Sequence, residues 1–164
     1  MTVLPVAPIT ARAFASYGWL AEGGDAGGRP INDGTSRRVD GAGQLSLSAE
    51  GGAPALAVFR AEARDARGPW RTLERHRFGT QTFVPLGGVR CVMLVATGEA
   101  RPEPATLAAF VVSGSQAVTL HAGTWHHGLI AIDSGDFVVV ERTAVQVDCE
   151  FAELAEAVTL DWRG

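Results

Sequence analysis

Apolar residues in this chain come in short runs, some alternating with polar residues and some continuous, and glycine, proline or small polar residues close nearly every run. Alternation is the period of a strand, whose successive side chains face opposite ways. Val3 to Ala7 reads as the first strand, and Thr10 is placed to cap a short helix through ARAFASY that ends at Gly18. The stretch from Glu22 to Pro30, EGGDAGGRP, reads as a loop, and INDGTSRR as extended or turning chain rich in polar groups. Further strands are expected at LSLS, ALAVFRAE, PWRTLERH, QTFVPLG, VRCVMLVA, TLAAFVVS, QAVTLH, GLIAI, DFVVVER and VQVDCE, and one or two helical turns at FAELAEAV. Many short strands with glycine-rich turns predict an all-β fold, a barrel or jelly roll with a few short helices, because closure removes exposed sheet edges.

Composition narrows the class. A chain of 164 residues without internal repeat or linker is expected to form one domain, 1–164, with a sizeable core. Hydrophobic residues at 46% and charged ones at 20% suit a soluble globular protein. No run reaches the ~18 apolar residues of a membrane span, and the first residues lack an export signal, so the expected location is cytoplasmic. A net charge of −4 argues against nucleic acid as a partner. All 14 basic residues are arginine. That excludes Schiff-base lysines, pyridoxal phosphate attachment and the phosphate-loop lysine. Cys91 and Cys149 form no metal-binding pair, and Cys91, inside an apolar run, reads as a buried strand thiol.

The chemistry concentrates in two segments. Three of the four histidines, His121, His126 and His127, lie in HAGTWHHGL, and the fourth, His76, lies in LERHRFGTQTFVPLGG. Glu74 and His76 are two apart on a strand and share a face, with Gln81 following on its continuation. Gly123 allows a bend that turns His126 inward. These four residues are expected to converge. His127 should face the other way if the segment is extended, and both it and His121 stay open between structural and functional use. Trp125 reads as core or pocket wall, Asp133 and Asp136 as servants of the turn between them, and SGS at Ser113 to Ser115 lacks the setting of a serine nucleophile.

The two segments resemble the paired motifs of the cupin barrel. Glu74 stands in the first histidine position, His76 in the second and Gln81 in the glutamate position, while Gly123 to His126 fits Gly-x-x-His. INDGTSRRVD, LERHRFGTQTFVPLGG and HAGTWHHGLIAIDSGDFVVVER together resemble the ureidoglycolate lyase family over nearly the whole chain. The resemblance implies a cupin-like β-barrel, a homodimer, and an amidine-lyase reaction that releases urea from (S)-ureidoglycolate to leave glyoxylate in allantoin degradation. It also implies a divalent metal, nickel in particular, at Glu74, His76, Gln81 and His126, two of which depart from the usual ligand types.

Such an elimination needs a base for the hydroxyl proton, an acid for the departing nitrogen and a cation for the carboxylate. His76 and His126 suit the proton transfers, with Glu74 orienting an imidazole or acting as base. Gln81 can contact the ureido group. Arg60 or Arg142 could grip the carboxylate in a bidentate fork, and Asn32 adds a polar contact. Two other readings remain at this stage: another metal-dependent cupin enzyme, a dioxygenase or isomerase, and a non-catalytic protein binding a small hydroxy- or keto-acid.

Overall fold

The computed structural model describes residues 2–24, 27–40 and 43–164. The chain opens with β1 (Thr2–Pro8) and a single helical turn, α1 (Ala11–Phe14), whose Ala13 amide donates to the Thr10 side chain at 3.2 Å. Then come β2 (Gly18–Glu22), the small hairpin of β3 (Arg29–Ile31) and β4 (Ser36–Arg38), and β5 (Ala53–Ala61). β6 (Trp70–His76), β7 (Gln81–Pro85), β8 (Gly88–Ala96), β9 (Ala108–Gly114) and β10 (Gln116–Leu120) follow. The last strands are β11 (Trp125–His126), β12 (Ile130–Ala131), β13 (Gly135–Thr143) and β14 (Cys149–Asp161). The fold is all-β apart from α1 and three short 3-10 turns among the described residues.

Two large sheets result. Seven strands run in the order β11-β6-β14-β1-β9-β8-β12, and five in the order β2-β10-β7-β13-β5. β11 also pairs with β8, so hydrogen bonding in the first sheet returns on itself. The β3–β4 hairpin pairs with neither sheet. One core cluster joins the sheets, with Phe83, Val118, Phe137 and Val139 from the five strands meeting Cys91, Met93, Val95 and Phe110 from the seven. A second, with Leu73, Leu94, Trp125, Leu154 and Leu160, draws on the larger sheet. β8 serves both, odd positions facing one cluster and even positions the other, which is why CVMLVA, Cys91 to Ala96, is apolar throughout. Each fully buried leucine here contributes about 2 kcal/mol.

Three expectations need correction. FAELAEAV is strand, not helix. It lies within β14, which pairs antiparallel with β6 up to Glu153, slips register, and from Val158 pairs with β6 again on one side and parallel with β1 on the other. The irregularity places buried Leu154 and Val158 four apart, the spacing of a helix, and strand pairing on both sides overrides the helix preference of Ala, Glu and Leu. LSLS forms no strand, and Ser46 is instead held by Thr80, whose backbone amide donates to the Ser46 carbonyl at 3.0 Å. VQVDCE becomes strand only at Cys149, with Val145 and Val147 left exposed.

Candidate active site

β6 ends at His76 and β7 begins at Gln81, so residues 77–80 carry the chain from the larger sheet to the smaller at one end of the shared core. β11 lies between β6 and β8, with His126 opposite Glu74 on one side and Val95 on the other. Gly123 makes the approach possible. Its φ of 86° is open to glycine, and its amide donates to the His76 carbonyl at 2.7 Å, tying the two histidine segments together. Thr124 fixes the same turn through its hydroxyl, which donates to the Tyr17 carbonyl at 2.8 Å.

Glu74, His76 and His126 each offer a donor atom within 4.8 Å of the other two. His126 Nε2 lies 3.6 Å from Glu74 Oε1. His126 is 2% exposed, and its Nδ1 lies 3.0 Å from the Thr124 carbonyl. A carbonyl only accepts, so Nδ1 carries the hydrogen and Nε2 keeps its lone pair for the site. Burial pushes the pKa of this imidazole down to about 4, helped by His76 and His127 and opposed by the Thr124 carbonyl. It is neutral at pH 7. Neither His126 Nε2 nor His76 Nε2 has a hydrogen-bond partner among the described residues.

Other polar groups support this cluster. The Asp148 carboxylate lies 3.7 Å from His76 Nδ1 and 3.4 Å from Arg142 Nη1, and it accepts from the Phe78 amide at 3.1 Å. Cys149, opposite His76 in the β14–β6 register, places its Sγ 3.7 Å from Glu74 Oε2. Burial and the carboxylates of Glu74 and Asp148 push this thiol up to about 11, so it stays protonated and donates. On the facing sheet, Gln81 Nε2 donates to Glu141 Oε2 at 2.8 Å.

The model of the family described as ureidoglycolate lyase matches residues 1–161. The chain belongs to the ureidoglycolate lyase family. Its relatives include the ureidoglycolate lyase of Burkholderia cepacia, 36% identical over 98% of this chain and 91% of that one. That of Burkholderia mallei (strain NCTC 10229) is 38% identical over 87% and 84%, and that of Stutzerimonas stutzeri 34% identical over 92% and 89%. The family's resemblance segments, LERHRFGTQTF and GTWHHGL, supply the three clustered donors and the turn that joins them.

Not every residue expected at the site of a family member is there. Arg60 lies outside the cluster: its side chain is 89% exposed, with Asp136 4.0 Å away, because β5 turns it to the outer face of the smaller sheet. Asn32 sits exposed in the turn of the β3–β4 hairpin, its backbone carbonyl accepting from the Thr35 amide and hydroxyl. Arg142 is internal. Its Nε donates to the Ala49 carbonyl at 2.7 Å and its Nη2 to the Glu50 carbonyl at 3.0 Å, and it pairs with Asp148. Glycines 52 and 79 make room for it, since a Cβ at either would fall within 2.6 Å of Arg142 side-chain atoms.

The remaining histidines have structural partners. His127 packs edge-on against Trp70 at 4.4 Å with Nδ1 at the Gly128 carbonyl, on the opposite side from His126. His121 meets Trp19 edge-on at 4.3 Å, with Nε2 near the Ala15 carbonyl. Trp125 belongs to the second core. Asp133, expected to serve its turn, instead grips Arg90 with both oxygens. The residues that sequence reasoning passed over are Asp148, Cys149 and Glu141. Only strand register brings them to the site, and the one local signal was the adjacency of Asp148 and Cys149 in VQVDCE.

Proposed function

We propose that the chain is a carbon–nitrogen lyase of the amidine-lyase type, eliminating urea from (S)-ureidoglycolate to leave glyoxylate. Membership of the family supports the substrate, and one structural observation carries the chemistry. Two buried imidazole nitrogens without partners among the described residues stand beside a carboxylate. Buried polar atoms are seldom left unpaired without a reason, and a ligand is the usual one.

The donor set fits a divalent metal. An ion bound at ~2.1 Å sets its ligand atoms roughly 3–4 Å apart, close to the 3.6 Å between His126 Nε2 and Glu74 Oε1. Glu74, His76 and His126 would hold it, and two imidazoles with one carboxylate suit a borderline ion such as nickel, which would supply Lewis acidity toward the hydroxyl and carboxylate of the substrate. Gln81, at the glutamate position of the cupin motif, is taken as a substrate contact.

The chain's own residues divide the remaining work by basicity. His126, held neutral well below the ordinary histidine range, is a weak base whose Nε2 lone pair is free for the site. His76 places Nδ1 3.7 Å from the Asp148 carboxylate, an arrangement that leaves Nε2 for the site and makes it the carrier of a proton in a metal-free site. It takes the proton of the hydroxyl as the C=O bond forms, the C–N bond breaks with its electron pair on nitrogen, and the same proton completes urea. Glu74, steadied by the Cys149 thiol, orients the histidines.

The wider reading is of a cupin-like barrel of jelly-roll type, one domain over 1–164, acting as a homodimer in the cytoplasm. The returning hydrogen-bond circuit supports the barrel. Leu56 and Val58, 74% and 55% exposed on the edge strand β5, support a subunit contact there. No helix among the described residues is long and apolar enough to cross a membrane. The deciding experiment incubates purified protein with racemic ureidoglycolate and follows glyoxylate and urea, with and without chelator. Equal release of both products is expected, falling with chelator and returning with added divalent ion. Full activity in protein shown metal-free by elemental analysis would leave the His76 route, and release of neither product would sink the assignment.

A further inference from the structure

One buried orphan atom is not explained by proton transfer: Oε1 of Gln81. Gln81, Phe83 and Pro85 are the buried residues of β7, and Phe83 lies in the core between the sheets, so Gln81 points to the same interior. On β13, Phe137 and Val139 belong to that core, and Glu141 is the next residue on their face. The two side chains meet at 2.8 Å, amide nitrogen to carboxylate oxygen. An ionised carboxylate cannot donate, so it can only engage the NH2 end of the amide. Glu141 therefore locks Gln81 in one orientation and leaves its carbonyl oxygen facing the interior.

The chemistry of that wall is one-sided. It presents an amide oxygen beside a carboxylate, both acceptors, and a carboxylate ligand placed there would meet two electron-rich groups. A group rich in N–H and free of negative charge would satisfy it. A ureido end carries three N–H hydrogens, and the acid end of the same substrate carries none. Resting on the function proposed above, we infer that Gln81 binds the ureido end of the substrate and that Glu141 is the positioning residue that orients it. The acid end then turns away from Gln81 and Glu141. The wall selects a carbamoyl-bearing hydroxy acid over a plain dicarboxylic one.

The competing role for Gln81 is ligation of a metal through the same oxygen, and product inhibition separates the two. Urea and glyoxylate inhibition constants are measured for the wild type, Gln81→Ala and Glu141→Gln, with bound divalent ion counted in each. Gln81→Ala should weaken inhibition by urea about tenfold, the size of one lost hydrogen bond in a buried site, and leave glyoxylate within about twofold. Glu141→Gln keeps the shape but lets the Gln81 amide turn over, so it should weaken urea less and in the same selective way. Folding of each variant is confirmed by its circular dichroism and melting temperature, and if one fails to fold the other still decides. Equal losses for both products, a loss confined to glyoxylate, or loss of bound metal would overturn the inference. If the wild type fails to turn over ureidoglycolate, the proposed function falls first, which distinguishes the two failures.

Discussion

Two polar clusters lie against each other at one end of the sheets, linked through Asp148. On one side, His76, His126 and Gln81 each keep a buried atom without a hydrogen-bond partner, and Glu74 stands within reach of the histidines. On the other, Arg142 directs Nε, Nη1 and Nη2 to Ala49, Asp148 and Glu50, and Asp148 receives Phe78 as well. The residue types are as polar in both. What differs is the capacity left over. A satisfied cluster stabilises and positions, whereas one with free lone pairs can take a ligand. Charge alone is therefore a poor guide to function: Arg142 is fully engaged within its own cluster, and the open atoms belong to His76, His126 and Gln81.

The sharpest test of this contrast is in the open cluster. Replacing His76 or His126 by Gln should lower kcat by about 10³-fold, within the range for removing a positioned acid, base or metal donor, while the protein stays folded. Steady-state rates with melting curves would show it, and a collapse of the fold instead would place His126 among the structural groups. In the closed cluster the effect should reverse. Arg142→Ala strands the Asp148 carboxylate, 8% exposed at its side chain, and should destabilise by about 3 kcal/mol or more in guanidinium titrations. Arg142→Lys should not restore it, because an ammonium cannot hold the same planar fork. Wild-type stability in either variant would mean that the cluster is held elsewhere.

A pH titration probes the open cluster from the side of stability. Burial keeps His126 neutral in the folded chain, so the unfolded chain takes up a proton near 6.5 that the folded chain refuses until about 4. Stability is therefore full above the unfolded value and is lost as pH falls through this window, by about 3 kcal/mol at ~1.4 per unit. Unfolding of chelated protein at pH 7 and near 4.5 measures the loss, and His126→Gln should remove that component. The smallest effect belongs to Arg60, which takes part in neither cluster. Arg60→Ala should change stability by less than about 0.5 kcal/mol and leave kcat/KM alone. A clear fall in kcat/KM would bring this exposed face into the reaction, for instance through a second subunit.

What the sequence by itself determined is what local period and backbone allowance encode. Alternation marked nearly all the strands, two-residue spacing put Glu74 and His76 on one face, and Gly123 signalled the turn that brings in His126. The opposed faces of His126 and His127 followed from the same period. Tertiary structure decided everything that depends on register. The slip of register along β14 made a strand of residues with helical spacing, and the pairing of Cys149 with His76 brought Asp148 and Cys149 beside the site. β13 aligned with β7 and β5 put Glu141 on the inner face near Gln81 and left Arg60 outside. The physical reason is range. A side chain's face on its own strand is fixed by its neighbours in sequence, but the group it meets across a sheet is fixed by hydrogen-bond register, and a slip of one residue exchanges every partner.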